Sequence, residues 1–242
     1  MNNELIPQNI LQVWKSFDSF PMETLTKAWF LKYHPQVAQR DVEFMIQHRA
    51  KTGASGNCFD LALWLIHEFE RAGIEAYGVA EDLGTEDAHV GVVALDSESR
   101  RYLCDLGDLW IQPLCLENIF AEPQGGYFTG ARVAFEINQN QLFIKYHRAN
   151  EKLSEQSYNL TPVLVTHLKE AGAISQRNLS SSLVEMRLWE GNEVIHWEFD
   201  EESSFFSRMS GLEKELACGS LEEWSKRIAL HTGDRIPKNW SI

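Results

Sequence analysis

The sequence predicts an α+β protein that is helical first, β-rich in the middle and mixed α/β towards its end. Three observations carry that reading. Up to about residue 72 the apolar residues recur at steps of three and four, with Pro or Gly at the breaks. From Ile74 onward the runs become short, β-branched and aromatic, and turn-prone clusters separate them. After Thr161 two helical stretches bracket another pair of strand-like runs.

The first part reads as helices over residues 8–50. A helix starts at Pro21, whose fixed φ suits a first turn, and stops before Pro35. Another runs from about Gln36 to Ala50 with Val37, Phe44, Met45 and His48 on one face, and residues 51–57 form a loop by composition. The next helix spans Cys58 to Ala72. Leu61, Ala62, Leu65, Phe69 and Ala72 share a stripe with Cys58, and Gly73 terminates it. Residues 74–80, 88–95 and 101–106 are then consecutive antiparallel strands, joined by turns at Asp82–Asp87 and Asp96–Ser99. Further strands are expected at Arg132–Ile137, Leu142–Tyr146 and Lys152–Leu160. Thr161 caps a connecting helix with Pro162 in its first turn and Gly172 at its end. Leu183–Trp189 and Glu193–Phe199 pair as a hairpin, with Trp189 and Trp197 as core residues. Ser220 and Glu223 form a capping box that opens the closing helix.

Composition narrows the function classes. The 242 residues are 44% hydrophobic and 24% charged, which suits one large folded domain or two small ones sharing a core. A net charge of −13 repels nucleic acid and anionic membranes, so neither is an expected partner. The first residues show no signal peptide, and no run is long enough to span a bilayer. The four cysteines (58, 104, 115 and 218) have no paired spacing, which fits free thiols in a reducing cytoplasm.

The chemistry concentrates in three residues. Cys58 follows the turn-forming Gly56-Asn57 and opens a helix, where the positive end of the helix dipole favours an anion. His89 lies on a strand, and Asp105 ends the next one. The midpoint of 89 and 105 is 97, inside the intervening turn, so one hairpin would set His89 directly beside Asp105. A cysteine, a histidine and an aspartate in this order are the parts of a thiol nucleophile with an oriented base. Each residue alone has a plainer reading, a buried small hydrophobe for the cysteine and a structural ring for the histidine. It is the set that points to function. Cys104 points away from Asp105's face, and Cys115 and Cys218 read as packing residues. The remaining histidines (34, 48, 67, 147, 167, 196 and 231) show no metal-binding spacing, so no metal is expected. Glu117, Glu122, Glu201 and Glu202 read as solvated charges, and Gly125-Gly126 as a loop.

These residues resemble the arylamine N-acetyltransferases, within the transglutaminase-like, papain-fold cysteine enzymes. The family's Arg-Gly-Gly-x-Cys-Phe-Glu run is matched by Ala54-Ser55-Gly56-Asn57-Cys58-Phe59-Asp60. Its Thr-His-hydrophobic strand is matched by Ala88-His89-Val90. Its Tyr-Leu-Val-Asp-Val-Gly-Phe-Gly run, followed by Pro-Leu, is matched by Tyr102 to Leu109 and then Pro113-Leu114. The match is specific over residues 54–114 and loose elsewhere. It departs at Ala54, Ser55, Asp60, Asp108 and Leu109. The resemblance implies a cysteine-proteinase-like fold in three parts: a helical domain (1–80) carrying the nucleophile, an antiparallel β-barrel (81–160) carrying His89 and Asp105, and a linking helix with an α/β lid (161–242). It implies acyl transfer from acetyl-CoA or another acyl-CoA to a small amine, with Cys58 acylated, His89 as base then acid, and Asp105 orienting His89. No cofactor is bound permanently, acyl-CoA being a cosubstrate, and no coenzyme-binding motif is matched. A cysteine hydrolase of the same superfamily and a non-catalytic binding homologue remain open at this stage, as does the oligomeric state.

Overall fold

The computed structural model describes residues 6–34, 39–179, 183–200 and 203–233. Its centre is one helix that is buried on most of its circumference. The described residues add four other N-terminal and linking helices, an eight-stranded antiparallel sheet curled into a nearly closed barrel, and a five-stranded C-terminal sheet with its own helix. The predicted fold class and order of parts are those observed.

The N-terminal segment begins with α1 (Gln8–Lys15), which buries Ile10 and Trp14. The Trp14 indole donates to the Ile111 carbonyl at 3.2 Å. The predicted helix from Pro21 starts later. Met22–Glu23 form a short strand, β1, and α2 covers Leu25–Tyr33. Tertiary pairing overrides local propensity here. Thr24 exchanges bonds with Leu183 (Thr24 N–H to the Leu183 carbonyl, Leu183 N–H to the Thr24 hydroxyl, both 2.9 Å), and β1 pairs with the late sheet. The Glu23 carboxylate accepts the Thr26 N–H at 2.7 Å, satisfying a first-turn donor. Helix α3 (Val42–Thr52) likewise starts later than predicted. Asp41 caps it by accepting the Phe44 N–H at 2.7 Å, and Gln39 and Arg40 turn inward instead of opening a helix. Val37 lies outside the described residues.

The central helix is α4 (Cys58–Arg71), which starts where predicted and ends one residue earlier, with Ala72 as its C-cap. Asn57 and Asp60 form a reciprocal capping box at its start. Leu61, Ala62, Leu65 and Phe69 are buried as expected, but so are Phe59, Leu63, Trp64 and Ile66, because the helix packs against α1, α3, a further helix and two barrel strands. Ala72 is exposed, beyond the last packed turn.

The barrel strands are β2 (Ala76–Glu81), β3 (His89–Leu95), β4 (Arg101–Cys104), β5 (Leu114–Cys115), β6 (Phe120–Phe128), β7 (Ala131–Asn138), β8 (Gln141–Arg148) and β9 (Leu153–Val163). Their spatial order is β5-β4-β3-β2-β9-β8-β7-β6. β6 was unforeseen. It contains Pro123 and the Gly125-Gly126 pair, and its pairing with β7 shifts register twice, so loop-like residues sit in a bulged edge strand. β9 outruns its prediction because Val163 still pairs with Gly78. The linking helix α5 is therefore Val165–Ser175. Thr161 is not its cap, and Gly172 lies inside it, where a side chain would press on Gln39 and Phe59.

The last sheet runs β1-β10-β11-β12-β13, with β10 (Leu183–Glu190), β11 (Glu193–Asp200), β12 (Ser203–Arg208) and β13 (Gly211–Lys214). The predicted hairpin is β10–β11. Leu25, Val184, Met186, Trp197, Phe199 and Ile228 form a second core under helix α6 (Leu221–Thr232). Trp197 is fully buried in it, whereas Trp189, near the hairpin tip, is 63% exposed rather than core. The Ser220 hydroxyl accepts the Glu223 N–H at 3.2 Å, but the Glu223 carboxylate reaches back to the Gly219 N–H rather than that of Ser220. Glu201 and Glu202 lie outside the described residues. No described helix is long and apolar enough to cross a membrane.

Arg40 and Asp60 form an ion pair at 2.5 Å with both side chains about 1% exposed. Removing one partner strands the other charge without water, so Arg40→Met is expected to lower the unfolding free energy by about 3–5 kcal/mol, read as a shift in urea midpoint at constant slope.

Candidate active site

The front of α4, the first residue of β3 and the turn after β4 converge on one point. Cys58 reaches it because the preceding loop is tightly tied. Gly56 has φ +136°, and a side chain there would collide with Arg40 and Asp60. Asn57 is extended, and the helix begins at the thiol itself. Cys58 is half-buried, and its side chain and the His89 ring both lie against Gly107. His89 Nε2 lies 2.7 Å from Asp105 Oδ2. Asp105 is wholly buried. It also accepts the Tyr158 hydroxyl and, at 3.0 Å, the Asp108 N–H. The three residues singled out in the sequence are thus brought together.

The register that joins them differs from the expected one. β3 and β4 align Val92 with Cys104 and Val93 with Leu103, a ladder that places Gly91, not His89, level with Asp105. The turn sets this alignment. The Asp96 carboxylate accepts the N–H groups of Glu98 and Arg100, each at 2.9 Å, and pairs with the Arg100 guanidinium at 2.7 Å. A shift of two residues preserves the face, so His89 still points at Asp105, but diagonally.

Gly107 is the contact point of all three. A Cβ built on it would lie 2.6 Å from Cys58 Cβ, 3.0 Å from His89 Cε1 and 3.2 Å from Asp105 Oδ1. The next residues carry two of the departures from the resembled motif. Leu109, where that motif has glycine, adopts φ +53°, the left-handed region that glycine favours, and is held there by full burial. Asp108, where the motif has phenylalanine, is half-buried and accepts the Tyr146 hydroxyl at 3.0 Å.

The charges of the site follow from these contacts. Burial alone would lower the basicity of His89, but the charge and hydrogen bond of Asp105, with the Cys58 contact, hold its pKa well above the ordinary imidazole value. Burial raises the Asp105 carboxyl, yet the His89 charge and the bonds from His89, Tyr158 and Asp108 bring it below the ordinary value. Asp108 is pushed up to about 6, first by burial and then by Asp105 and Glu185, against the opposing pull of His89.

Tyr158, Tyr146, Gly107 and Asp108 escaped the sequence reading as site residues. Alternation along β8 and β9 points both tyrosines inward, but nothing local marks them as partners of a carboxylate. Cys104 and Cys115 are buried and Cys218 half-buried, all as free thiols away from this convergence. His48 stacks on Trp29 at 4.4 Å between ring centres, and burial and nearby cations lower it to about 4. His196 lies 2.8 Å from Glu185. Glu117 is exposed yet pairs with Arg101 at 2.8 Å, so it is more than a solvated charge. Among the described residues, the group of metal-ligand type is His89, Asp105 and Asp108, which is the site itself.

No family model matches the sequence, and no curated protein sequence matches it either. Solved structures do match over nearly the whole chain. A cysteine-to-glutamine variant of a Mycobacterium smegmatis N-arylamine acetyltransferase aligns with TM-score 0.73 and 14% identity, covering 93% of this chain and 84% of its own. The arylamine N-acetyltransferase of M. tuberculosis gives 0.72 and 15%, covering 98% and 89%. That of M. marinum in complex with CoA gives 0.68 and 13%, covering 98% and 92%. The chain has the arylamine N-acetyltransferase fold. A Bacillus cereus enzyme of the fold (TM-score 0.67, 14% identity, covering 98% and 93%) is described as having a unique Cys-His-Glu triad.

Gly107→Ala tests the convergence. The added methyl must displace Cys58 or His89, so iodoacetamide labelling of the thiol is expected to slow by about 10²-fold, with a stability loss of about 1–3 kcal/mol by thermal denaturation.

Proposed function

We propose that the protein is an acyltransferase that moves an acetyl or related acyl group from acyl-CoA to a small amine through a thioester on Cys58. The observation that carries this reading is the convergence of the Cys58 side chain, the His89 ring and the buried Asp105 carboxylate around Gly107, with His89 bonded to Asp105 at 2.7 Å. The fold shared with arylamine N-acetyltransferases, one of them in complex with CoA, supports it.

The steps follow from the geometry. The Cys58 sulfur, with its proton held on His89, attacks the thioester carbonyl. The tetrahedral oxyanion forms in front of α4, where first-turn N–H groups and the helix dipole oppose its charge; the Asp60 N–H is taken by Asn57, which leaves those of Cys58 and Phe59 facing forward. CoA leaves as its thiol, taking the proton from His89. The neutral imidazole then removes a proton from the attacking amine, and collapse of the second intermediate restores the sulfur anion beside the imidazolium. Asp105 orients the ring, so that Nε2–H is donated to the carboxylate and Nδ1 is left to exchange the proton. Tyr158 and the Asp108 N–H hold Asp105 in turn. The kinetics are ping-pong.

Incubation with acetyl-CoA in the absence of amine is expected to add one acetyl group to the wild type and none to Cys58→Ala, measured by intact mass. An unchanged wild-type mass, or equal gain on both, sinks the reading. Because Asp105 raises the imidazole, the wild-type thiol is expected to react with iodoacetamide at about pH 6, where a free thiol of pKa roughly 8.5 is slow. Asp105→Asn is expected to lower that rate by about 10²-fold. A rate like wild type would remove Asp105 from its orienting role.

A further inference from the structure

The site contains one carboxyl group more than a cysteine–histidine–aspartate line requires. Asp108, His89 and Asp105 each bring a polar atom within 4.8 Å of the others. The two carboxyls are placed differently. Asp105 is sealed, with bonds from His89, Tyr158 and the Asp108 backbone. Asp108 is half-exposed. Tyr146 holds its Oδ2, and among the described residues no hydrogen bond or ion pair reaches its other oxygen.

Behind Asp108 stands a proton acceptor chain. The Tyr146 hydroxyl is 3.0 Å from Asp108 Oδ2 and 2.8 Å from Gln156 Oε1, and its single proton serves one of them at a time. With Asp108 ionised, Tyr146 donates to it. With Asp108 protonated, the carboxyl donates to the Tyr146 oxygen and Tyr146 donates to Gln156. Both states of Asp108 are therefore satisfied without moving a heavy atom.

We propose that Asp108 is a second base of this site and that the acyl acceptor is an aliphatic amine that arrives as its ammonium ion. The inference rests on the acyl-transfer reading above and names its acceptor class. An aliphatic amine, with a pKa near the roughly 10 of lysine, is protonated at neutral pH and must lose two protons to become an amide, whereas an arylamine arrives neutral and must lose one. The ammonium pairs with the Asp108 carboxylate and passes it one proton. The freed amine attacks the Cys58 thioester carbonyl, forming the C–N bond, while His89 takes the second proton. The C–S bond breaks with its electron pair on sulfur. Asp108 then releases its proton to water. The groups that face Asp108 are His89 on β3, Asp105 after β4, Tyr146 on β8 and Glu185 on β10. Their balance, with burial, raises the carboxyl to about 6, so it is ionised at neutral pH and more basic than an ordinary aspartate.

The test separates the half-reactions. The acyl-enzyme is formed with acetyl-CoA, freed of CoA, and discharged at neutral pH by n-butylamine or by aniline. Butylamine is expected to discharge the wild type faster. Asp108→Asn is expected to slow butylamine by about 10²-fold and aniline far less, with Asp108→Glu recovering part of the loss. The ratio of the two rates, read on one preparation, cancels any loss of folded protein. Equal slowing of both amines, or a wild type that prefers aniline, overturns the role of Asp108 while leaving acyl transfer intact. Failure to form acyl-enzyme overturns both.

Discussion

A buried carboxylate at the front of α4 holds the site in place. Asp60 accepts the Asn57 N–H at 3.1 Å, the Gln39 amide at 2.7 Å and the Arg40 guanidinium, and the Gln176 amide approaches both of its oxygens at 3.3 and 3.4 Å. Arg40 also donates to the Ser55 carbonyl at 3.1 Å. The entry to α3, the loop before Cys58 and the end of α5 thus meet on one charge. An isolated carboxylate at this depth would cost several kcal/mol, so the arrangement is stable only with its full set of donors. Arg40 is especially informative because the resembled motif places its arginine at position 54. Here Ala54 is buried and the guanidinium beside Asp60 comes from a different segment.

This helps explain how far the sequence could be read. Helix α4 was legible to within one residue because its signals are local: an Asn57–Asp60 capping box, apolar periodicity and Gly73. The hairpin that brings His89 to Asp105 was legible in face but not in register, since alternation fixes the face while the Asp96 turn fixes the alignment. Three departures elsewhere share one cause. Met22–Glu23 and residues 161–163 carry helix signals yet lie in strands, because distant strands offer their backbones a ladder. β6, with its proline and two glycines, is recruited at the barrel edge in the same way. None of these partners is visible within a local window.

Asp105 and Asp108 show how position divides labour between like groups three residues apart. One is enclosed by a tyrosine, an imidazole and a backbone N–H, all donating, and is held ionised. The other opens toward the thiol's surroundings and sits among negative neighbours, which makes its proton harder to lose. Environment rather than residue type separates the orienting carboxylate from the one free to exchange a proton.

The loop that carries both carboxyls does not support itself. Leu109 occupies a left-handed conformation that costs on the order of 1–2 kcal/mol in a residue with a side chain. The offset comes from the C-terminal sheet. Arg187 on β10 is almost fully buried, donates to the Trp110 carbonyl and reaches the Phe17 carbonyl at 3.3 Å, while its ring neighbour Trp14 lies 5.2 Å from the guanidinium carbon. Burial lowers this arginine to about 10, which still leaves it charged at neutral pH, so the bond to Trp110 is charge-assisted. Glu185, two residues earlier on the same strand, contributes to the field felt by Asp108. The late sheet therefore does more than cover the molecule: it fixes the backbone of the Asp105–Trp110 turn and sets part of the electrostatics at its tip. A chain cut before β10 would keep Cys58, His89 and Asp105 but lose the arginine that holds their turn in its strained form.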